Sequence, residues 1–559
     1  MSFVDPDPAL RPLLGRYVDA MDRVEPVLHD IGAVAAGELD ELAAVAETNP
    51  PRLRQYDASG ERIDEIVYHP AYTEMSRLAF ERFGLAAMSH RPGVHGWPTK
   101  VPHVVKYGLS YVFVQAEFGL FCPVSMTDSA ARVLRKFGDE SLFAAEIDGL
   151  SSTRFDTLLT GAMFMTEKQG GSDVGQTATQ ATPDGAHWTL RGQKWFASNV
   201  NADVILTLAR VPGGPAGTKG LGLFMVPRLR PDGSRNTYRI DRLKDKLGTR
   251  SMASGEVTLE DCYALPVGDL SRGFVQMAEM VNVSRLSNAM RAVALMRRSL
   301  HESISHARQR VAFGKPLFDQ PLMRKTLLPM MLHTEAGLGF VLEAAATLDR
   351  ADAGGAEARR LIRVLTPLGK YHLCKLARVV TGEAMEIRGG NGYIEDWINP
   401  RLVRDAHLGS IWEGSSNVIA LDVLRCIRKD NAHELLADTA QHRLERIGDA
   451  DVAAGAERLL ADVARLRTHG KSLLVESDEY AQAMCGEFTN LAAQVTMASL
   501  LFEQADYEAR TGLGYRKLLV ANTYLHHIVR PSNQVPSALR WLAELADGGE
   551  VPAEAAAGD

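Results

Sequence analysis

The sequence predicts an α+β protein of several domains, in which a β region is set between helical regions. Residues 160–270 hold short apolar runs separated by turn signals, which is typical of strands. On either side, apolar residues recur every three or four positions, as they do along one face of a helix. At 559 residues, the chain is long enough for about three or four domains.

The first predicted domain, residues 1–157, is helical. The run from Ser141 to Ile147, for example, places apolar side chains at helical spacing. The second domain, residues 158–272, is a central antiparallel β-domain, either an open sheet or a barrel. Its apolar or alternating runs are Ala202–Ala209, Gly220–Pro227 and Glu256–Glu260, with turn signals such as Pro-Asp-Gly and Pro-Gly-Gly around them.

Helices return in the third predicted domain, residues 273–430. The segment from Arg285 to Val311 contains neither glycine nor proline and keeps its apolar residues on one face. Similar segments are 322–349, 356–387 and 416–428. Long helices joined by short connections favour a bundle. A fourth region, residues 431–559, is predicted to be an additional helical domain that ends in an acidic tail rich in alanine and glycine.

Composition and charge indicate a globular protein of a reducing compartment. Apolar residues make up 46% and charged residues 23%, and a net charge of −7 favours neither nucleic acid nor an anionic membrane. The N-terminus has no basic segment before an apolar run, and no stretch approaches the ~20 apolar residues of a spanning helix. The five cysteines lack the spacing of a disulfide framework or a zinc site. We therefore expect a cytoplasmic protein that binds neither a metal ion nor a membrane.

Several common catalytic motifs are absent from the sequence. No Gly-x-Gly-x-x-Gly occurs, Arg465 stands where a P-loop needs its first glycine, and Ser305 stands where His-Glu-x-x-His needs its second histidine. Ser172 lacks the closing glycine of a nucleophile elbow. These absences argue against Rossmann dehydrogenases, P-loop enzymes, zincins and α/β-hydrolases.

Five short segments carry side chains that suit a planar or phosphate-bearing ligand. In Met165–Val174, Thr166 and Ser172 flank a glycine pair, so hydroxyl groups and approachable backbone N–H groups lie together. In Gly192–Asn199, aromatic residues precede a hydroxyl, which suits the face and edge of a heterocycle. Each segment also has an ordinary structural explanation, because glycine–serine clusters are often plain turns and paired aromatics often belong to a core.

The other three segments lie in the predicted bundle. Ala307–Pro316 is a helix end followed by a basic turn, where an arginine could bind a phosphate or simply favour the helix C-terminus. Glu386–Tyr393 contains Arg-Gly-Gly-Asn-Gly, and Ser410–Asn417 reads Ser-Ile-Trp-Glu-Gly-Ser-Ser-Asn. None of the five segments identifies a kind of protein on its own, but their order along the chain does.

Taken in this order, residues 100–428 resemble the acyl-CoA dehydrogenase family of flavoproteins. That family has an N-terminal helical domain, a central β-domain and a C-terminal helical bundle, the same order that the residues predict. The variants Met-Thr-Glu-Lys-Gln-Gly-Gly-Ser-Asp-Val, Ile-Trp-Glu-Gly-Ser and, at Lys246–Ser254, Lys-Leu-Gly-Thr-Arg-Ser-Met-Ala-Ser are most similar to the AidB branch. AidB proteins belong to the alkylation-damage response and carry an extra C-terminal helical domain, which residues 431–559 would form.

The resemblance implies an oxidoreductase with FAD as its cofactor. Thr166 and Ser172 would contact the flavin ring and the pyrophosphate. Phe196 would lie against the flavin, and Ser198 near its reactive edge. The full set of implied cofactor-binding residues is Met165, Thr166, Gly171, Ser172, Phe196, Ser198, Arg310, Phe313, Gly389, Gly390, Trp412, Ser415 and Asn417.

Glu413 matches the catalytic base of that family. The implied reaction is α,β-desaturation of a short or branched acyl-CoA, in which the base removes the α-proton and the β-hydrogen passes as hydride to flavin N5. Desolvation strengthens such a base, and Trp412 could provide a dry wall for it. A carboxylate just before a helix also stabilises the helix dipole, which is a purely structural explanation. Arg425 could fold back onto the carboxylate, and Arg285 could serve the site or lie at a helix surface.

The resemblance also implies partners for the protein. Arg310 and Phe313 would reach FAD across a dimer interface, so we expect a homotetramer, an acyl-CoA substrate and an electron-transfer flavoprotein as acceptor. AidB proteins are associated with duplex DNA through a basic surface on the added domain. Residues 431–559, however, hold eleven Lys and Arg residues against nineteen Asp and Glu residues, a net charge of −8, and DNA needs several clustered cations. A DNA-binding flavoprotein with little dehydrogenase turnover stays an alternative, as does a flavin monooxygenase.

Overall fold

The computed structural model describes residues 2–531 and 534–557. Contacts within the chain divide it into a helical unit, Met1–Ala33, His103–Gln115 and Arg285–Asp559, and a sheet unit, Val34–Pro102 and Ala116–Ser284. The described α-helices are α1 (Leu10–Tyr17), α2 (Met21–Ala35), α3 (Glu38–Thr48), α4 (Pro70–Arg77), α5 (His103–Val114), α6 (Phe121–Phe137), α7 (Glu140–Leu150), α8 (Gly273–Gln309), α9 (Pro321–Asp352), α10 (Ala356–Ile387), α11 (Asn399–Gly409), α12 (Ser416–Asp430), α13 (Ala432–Glu445), α14 (Ala450–Glu457), α15 (Leu460–Val475), α16 (Asp478–Arg510), α17 (Arg516–Tyr524), α18 (Leu542–Asp547) and α19 (Ala553–Ala556). The described strands are β1 (Arg52–Tyr56), β2 (Arg62–Val67), β3 (Gly161–Phe164), β4 (Gln180–Asp184), β5 (His187–Ser198), β6 (Val204–Arg210), β7 (Leu221–Pro227), β8 (Tyr238–Leu243), β9 (Ser254–Pro266), β10 (Val311–Ala312) and β11 (Lys315–Pro316).

The sheet unit is built on a seven-stranded sheet. The strand order is β3-β6-β4-β5-β9-β7, β8 pairs with β9, and β7 also pairs with β6, so that five strands close into a ring. Most pairs are antiparallel, as predicted. Strand β3, however, pairs with β6 in parallel, and β4 meets β6 in parallel at Gln180 and Arg210. The ring agrees with the predicted barrel. The prediction that all strands are antiparallel is corrected for the two parallel pairs.

Strand β6 lies at the centre of the sheet core. Its residues 204–209 are buried along the whole run, which explains why the sequence there is continuously apolar instead of alternating. The one hydroxyl in the run, Thr207 Oγ1, donates to Phe164 O at 2.6 Å, so burying it leaves no unpaired donor. Helix α6 packs on β3 and β6.

Residues 1–157 are mainly helical, as predicted, but they also contain the hairpin β1–β2. Asp57 Oδ1 accepts from the backbone N–H groups of Ser59 and Glu61, and Gly60 has a φ of +85°, which is ordinary turn chemistry. No apolar run marks this hairpin in the sequence, because β1 alternates exposed residues with the half-buried Leu53 and Gln55. Since residues 1–157 belong partly to each unit, the four-domain division remains a prediction.

The helical unit is built around the long helices α9, α10 and α16. Helices α9, α10 and α12 cover the segments predicted from their apolar faces, and α8 covers the first of these segments except its last two residues, since it ends at Gln309. Helix α10 packs against α9, α11 and α12, and α16 packs against α9, α10 and α12. Helices α13–α19 confirm the predicted helical character of residues 431–559 and belong to the same packed unit as the bundle. Across the described residues, no helix combines the length and apolar character needed to cross a bilayer.

A buried charge cluster joins α9 to α17. Glu335 accepts hydrogen bonds from Arg516 at 2.9 and 2.7 Å and from Lys517. All three side chains are more than nine-tenths buried. Burial alone would raise the pKa of Glu335, but Arg516 and Lys517 hold that pKa well below its usual value. The C-terminal helices are therefore tied to the bundle by charges that cannot be left unpaired without a large cost.

Candidate active site

Glu413 lies in the tight turn between α11 and α12. The backbone N–H groups of Ile411 and Trp412 donate to Leu408 O at 2.9 and 3.2 Å, which prolongs the end of α11. Glu413 and Gly414 then adopt left-handed φ values of +57° and +102°. A glutamate in this conformation costs about 1–3 kcal/mol, so its surroundings have to hold the turn in place.

Two buried cations bind the carbonyl oxygens of this turn. Arg285 Nε, on α8, donates to Glu413 O at 3.3 Å, and Lys370 Nζ, on α10, donates to Gly414 O. Both side chains are buried, and burial lowers the pKa of Lys370. Charge-assisted hydrogen bonds are among the stronger ones in proteins, so these two contacts stabilise the left-handed conformation.

Asp422, on α12, is the charge partner of Arg285. Its carboxylate accepts from Arg285 at 2.6 Å and from Arg363 at 3.1 and 2.6 Å. Arg425, which could have folded back onto Glu413, instead pairs with Asp422, 3.6 Å away and one helical turn earlier. The interpretation of Arg285 as a surface arginine is wrong, because its side chain is buried against the turn.

Trp412 is fixed beside Glu413 by its own contacts. Its indole Nε1 donates to Asn288 Oδ1 at 2.8 Å, and Asn288 Nδ2 donates to Gly409 O at 3.0 Å. The guanidinium carbon of Arg291 lies 4.5 Å from the centre of the Trp412 ring, which is cation–π distance. These contacts hold the half-buried indole in one orientation next to the glutamate, and its role as a dry wall remains a prediction.

Under the helix-dipole explanation, Glu413 would have to act on α12 from outside the helix. Helix α12 begins at Ser416 after an N-cap at Ser415, and its first turn contains no acidic residue. Glu413 precedes that N-cap by two residues and lies outside the helix. Ser415 and Asn417 are exposed, and Ser415 does not cap α12 with its side chain. Both polar groups are therefore accessible to a ligand, as their predicted cofactor contacts require.

The predicted binding loop of the sheet unit follows β3. Gly170 is buried, and a Cβ added there would lie 3.3 Å from Thr177 N, whereas Gly171 is exposed. In residues 2–531 and 534–557, the hydroxyls of Thr166 and Ser172 and the backbone N–H groups of Gly171 and Ser172 have no hydrogen-bond partner. One loop thus presents several free donors, which suits the phosphate or carbonyl oxygens of a ligand.

A buried ion pair anchors this loop to the sheet. Glu167 Oε1 lies 2.8 Å from Lys194 Nζ on β5 and accepts from Thr179 Oγ1 at 2.5 Å. Glu167 Oε2 accepts from the backbone N–H of Ala178 at 2.7 Å, and Lys194 also donates to Leu208 O at 3.0 Å. Neither Glu167 nor Lys194 is among the predicted site residues. Their signal in the sequence is a lysine inside a strand of the core, which requires a buried partner.

Replacing Lys194 by methionine is expected to destabilise the sheet unit by about 3 kcal/mol. The Glu167 carboxylate would keep its hydrogen bonds but lose its counter-charge. Burial acts to raise the pKa of Glu167, and Lys194 now holds that pKa below its usual value. Thermal unfolding followed by circular dichroism measures the effect, with Lys100→Met, at an exposed lysine of the same unit, as the control. Equal unfolding temperatures for the two variants would contradict the prediction.

A β-bulge displays Phe196. Between Lys194 and Ala197, strand β5 advances three residues while β9 advances two, so Trp195 and Phe196 oppose a single partner residue. Phe196 is 56% exposed, and its interpretation as a core aromatic is therefore wrong. Trp195 is half-buried, with Lys244 Nζ 3.4 Å from its ring centre. The bulge leaves the Phe196 ring open to a ligand face.

Arg310 and Phe313 lie at the hairpin that follows α8. Strands β10 and β11 leave Phe313 and Gly314 as a two-residue turn, with φ values of +51° and +83°. Two positive φ values are typical of a type I′ turn, which glycine adopts easily and phenylalanine does not. Phe313 is 96% exposed, and Arg310 is exposed as well. A strained, exposed aromatic is suited to contact a molecule outside its own chain.

Gly389 and Gly390 begin a short 3₁₀ helix, Gly389–Tyr393. Gly389 has a φ of +67°, and a Cβ added at either glycine would meet no atom within 4 Å among the described residues beyond its chain neighbours. Glycine is therefore favoured at 389 by conformation, and the space beside both residues is open to another molecule.

The structure brings the predicted cofactor residues together in local groups within each unit. In the sheet unit these are the loop after β3 and the end of β5, where Ser198 Oγ lies 3.5 Å from Ser254 Oγ. In the helical unit they are the hairpin after α8, the 3₁₀ helix after α10 and the turn before α12. In chain order the groups are Met165, Thr166, Gly171 and Ser172; Phe196 and Ser198; Arg310 and Phe313; Gly389 and Gly390; Trp412, Glu413, Ser415 and Asn417.

Three family models match consecutive parts of the chain. They describe the adaptive response protein AidB N-terminal domain (residues 1–157), the acyl-CoA dehydrogenase middle domain (residues 162–262) and the acyl-CoA dehydrogenase C-terminal domain (residues 271–427). The putative acyl-CoA dehydrogenase AidB of Escherichia coli strain K12 is 39% identical over 414 residues, which cover 71% of this chain and 73% of that protein. The chain belongs to the acyl-CoA dehydrogenase family.

Two further comparisons place the chain within the acyl-CoA dehydrogenase family. Acyl-CoA dehydrogenase family member 11 of Caenorhabditis elegans is 33% identical over 432 residues, 75% of this chain and 69% of that protein. The crystal structure of C. elegans ACDH-11 in complex with C11-CoA superposes with a TM-score of 0.86 at 28% identity, covering 94% of this chain and 91% of that one. The predicted fold class and the AidB-like character are confirmed, and the protein is an oxidoreductase of this family.

Proteins of the acyl-CoA dehydrogenase family bind FAD, and the residues present fit this group. The free hydroxyl and N–H donors of Thr166, Gly171 and Ser172 suit its polar edge and phosphates. The exposed ring of Phe196 suits the face of a flavin. The open space at Gly389 and Gly390 leaves room for a cofactor beside the backbone. These assignments remain predictions, residue by residue.

Proposed function

We propose that this protein is an FAD-dependent acyl-CoA dehydrogenase that desaturates a short or branched acyl-CoA, with Glu413 as the base. The observation that carries the proposal is the left-handed turn at Glu413, whose carbonyl oxygens are bound by Arg285 and Lys370. Holding a strained glutamate with two buried cations is expected where the position of its carboxylate matters to a reaction.

The proposed chemistry needs a carboxylate at a defined position. The α C–H of a thioester is a weak acid, so the base has to be held close to it, and such a base contributes about 10²–10⁴ in rate. Glu413 takes the α-proton onto its carboxylate. FAD, when bound, supplies the acceptor for the β-hydrogen. Trp412, held by Asn288 and Arg291, limits the positions open to the neighbouring turn.

The relatives support the proposed class of substrate. The solved C. elegans structure contains C11-CoA, an acyl thioester. The E. coli relative carries the description of a putative acyl-CoA dehydrogenase. A CoA thioester is therefore the ligand to test first, and the acyl chain is the variable.

A homo-oligomer, as a tetramer, is part of the proposal, with an electron-transfer flavoprotein as the electron acceptor. Exposed apolar side chains support it in the helical unit, namely those of Phe313, Leu322, Tyr393 and Ile411. Large apolar groups facing water are commonly covered by another chain. The electron acceptor rests on the family resemblance alone.

Anaerobic addition of acyl-CoA to the yellow holoprotein is expected to bleach the flavin. We expect short and branched chains to bleach it faster than C11-CoA, because the proposed substrate is short or branched. Absorbance during a panel of acyl-CoA lengths and branchings measures this, with free CoA as the control. No bleaching by any member would overturn the proposal. A salt-dependent gel shift with duplex DNA would then favour the DNA-binding alternative, and oxygen consumption with NAD(P)H and a reductase would favour a monooxygenase.

The charges of the C-terminal region do not favour duplex DNA as a ligand. Arg443 lies 2.8 Å from Glu343, and Arg467 pairs with Glu434 and with Asp438 at 2.7 Å. Arginines that are already neutralised by carboxylates release few counterions from DNA, so they add little to affinity. The dehydrogenase therefore remains the better proposal.

A further inference from the structure

Lys370 is a buried ammonium in the middle of α10. Its residue is 1% exposed, and its hydrogen bond goes to Gly414 O, one residue after Glu413. In the part of the chain that the structure describes, no carboxylate oxygen lies within 4 Å of Lys370 Nζ. A buried charge without a paired carboxylate is costly, so something in the site has to favour it.

The groups around Lys370 show which of them stabilises its positive charge. Burial is the largest influence and lowers the pKa of Lys370. Cys374, on the same helix, and Glu413, on the turn, act to raise it, and Arg285, on α8, acts to lower it. Burial also raises the pKa of Cys374, to about 11, so this thiol is neutral at pH 7. The carboxylate of Glu413 is then the negative charge that stabilises the Lys370 ammonium.

Arg285 touches the same turn but differs in charge balance. Its guanidinium donates to Asp422 at 2.6 Å, and Asp422 is shared with Arg363. Arg285 therefore has a carboxylate in direct contact, although it shares that carboxylate with Arg363. Lys370 has no such carboxylate, so its charge acts on the turn.

We propose that Lys370 is the positioning residue of the Glu413 turn, holding Gly414 O by a hydrogen bond and giving the Glu413 carboxylate a buried counter-charge. The inference rests on the proposed function where it concerns the base. Because electrostatic coupling is mutual, the cation that gains from the carboxylate also favours the ionised form of that carboxylate. Lys370 thus keeps Glu413 in the form that accepts a proton.

The coupling is tested without activity by a double-mutant cycle. Thermal unfolding of the FAD-loaded protein is compared for wild type, Lys370→Met, Glu413→Gln and the double variant. We expect Lys370→Met to be less harmful in the Glu413→Gln background than in the wild type, because the ammonium there has lost its negative partner. The shift in melting temperature caused by Lys370→Met should differ between the two backgrounds by about 2–4 °C. The same change in both backgrounds would overturn the proposal.

A pH profile tests the effect on the base. In Lys370→Met, the acidic limb of the rate of flavin bleaching by acyl-CoA is expected to move upward by about 1 pH unit or more, because the carboxylate loses a nearby cation. Lys370→Arg keeps the charge and should keep the limb. Lys375→Met is the matched control, since Lys375 lies on the same helix and donates to Tyr371 OH at 3.2 Å. A limb that stays in place in Lys370→Met would contradict the charge role.

The two tests separate the inference from the proposed function. If no acyl-CoA bleaches the wild-type flavin, the proposed function fails, while the melting-temperature cycle still decides whether Lys370 and Glu413 are coupled. If acyl-CoA bleaches the flavin through Glu413 but the cycle is additive, the role of Lys370 fails alone.

Discussion

Flavin bleaching by acyl-CoA is expected to fall by about 10²–10⁴ when Glu413 is replaced by glutamine, while FAD stays bound. Glutamine has nearly the same shape as glutamate, but its amide has no lone pair basic enough to remove an α-proton. The contacts that hold the turn go to the carbonyl oxygens of Glu413 and Gly414, from Arg285 and Lys370. The substitution leaves these backbone groups unchanged. Stopped-flow absorbance under anaerobic conditions measures the rate.

The control for this experiment is Glu357→Gln, at an exposed glutamate near the start of α10. Its bleaching rate should equal that of the wild type. Flavin content, read from absorbance after denaturation, separates loss of the base from loss of the cofactor. A Glu413→Gln protein that bleaches as fast as the wild type would remove Glu413 from the role of base.

The free energy of unfolding is expected to fall by about 3–5 kcal/mol when Glu335 is replaced by glutamine. Glu335 is the carboxylate of the buried cluster with Arg516 and Lys517. Glutamine leaves both cations buried without their main counter-charge. Glu508, 3.7 Å from Lys517, compensates little, because burial raises the pKa of Glu508 and so disfavours its charged form. Urea unfolding followed by circular dichroism measures the effect, with Glu357→Gln again as the control.

The sign of the pH dependence of this cluster is fixed by the direction of its pKa shift. Because the pKa of Glu335 is lowered in the folded chain, its contribution is present above the ordinary value of 4.5 and is lost as pH falls below it. Glu335→Gln should therefore lose less stability than the wild type between pH 6 and acid pH (about pH 3). Equal urea midpoints for Glu335→Gln and wild type at neutral pH would show that the cluster contributes nothing.

Much of the fold could be predicted because its helices and strands have local patterns in the sequence. The apolar faces of α9, α10 and α12 have a helical period, and β6 is a continuous apolar run, so each pattern is visible within its own segment. The hairpin β1–β2 was not predicted, because β1 has no buried residue and β2 mixes charged residues with its apolar ones. The parallel pairing of β3 with β6 was not predicted either, because pairing between distant segments has no local pattern in the sequence.

The candidate site was predicted less completely than the fold. Glu413, Trp412 and the Gly170–Ser172 loop stand in short motifs, so the sequence alone pointed to them. Lys194 was not selected, although a lysine inside a core strand is a signal, and Lys370 has no such signal, because the sequence alone does not show which helical lysine is buried. The sequence also left open whether Arg425 approaches Glu413, and in the structure Arg425 pairs with Asp422, three residues earlier on the same helix.

The sequence alone determined the succession of helical and β regions and the family. It also identified the glutamate assigned as base. Those features depend on neighbours in the chain and on short motifs. The folded chain adds the left-handed turn at Glu413 and the cations that hold it, drawn from α8 and α10, 128 and 44 residues away along the chain. Such contacts depend on how helices pack, and packing is a property of the whole core.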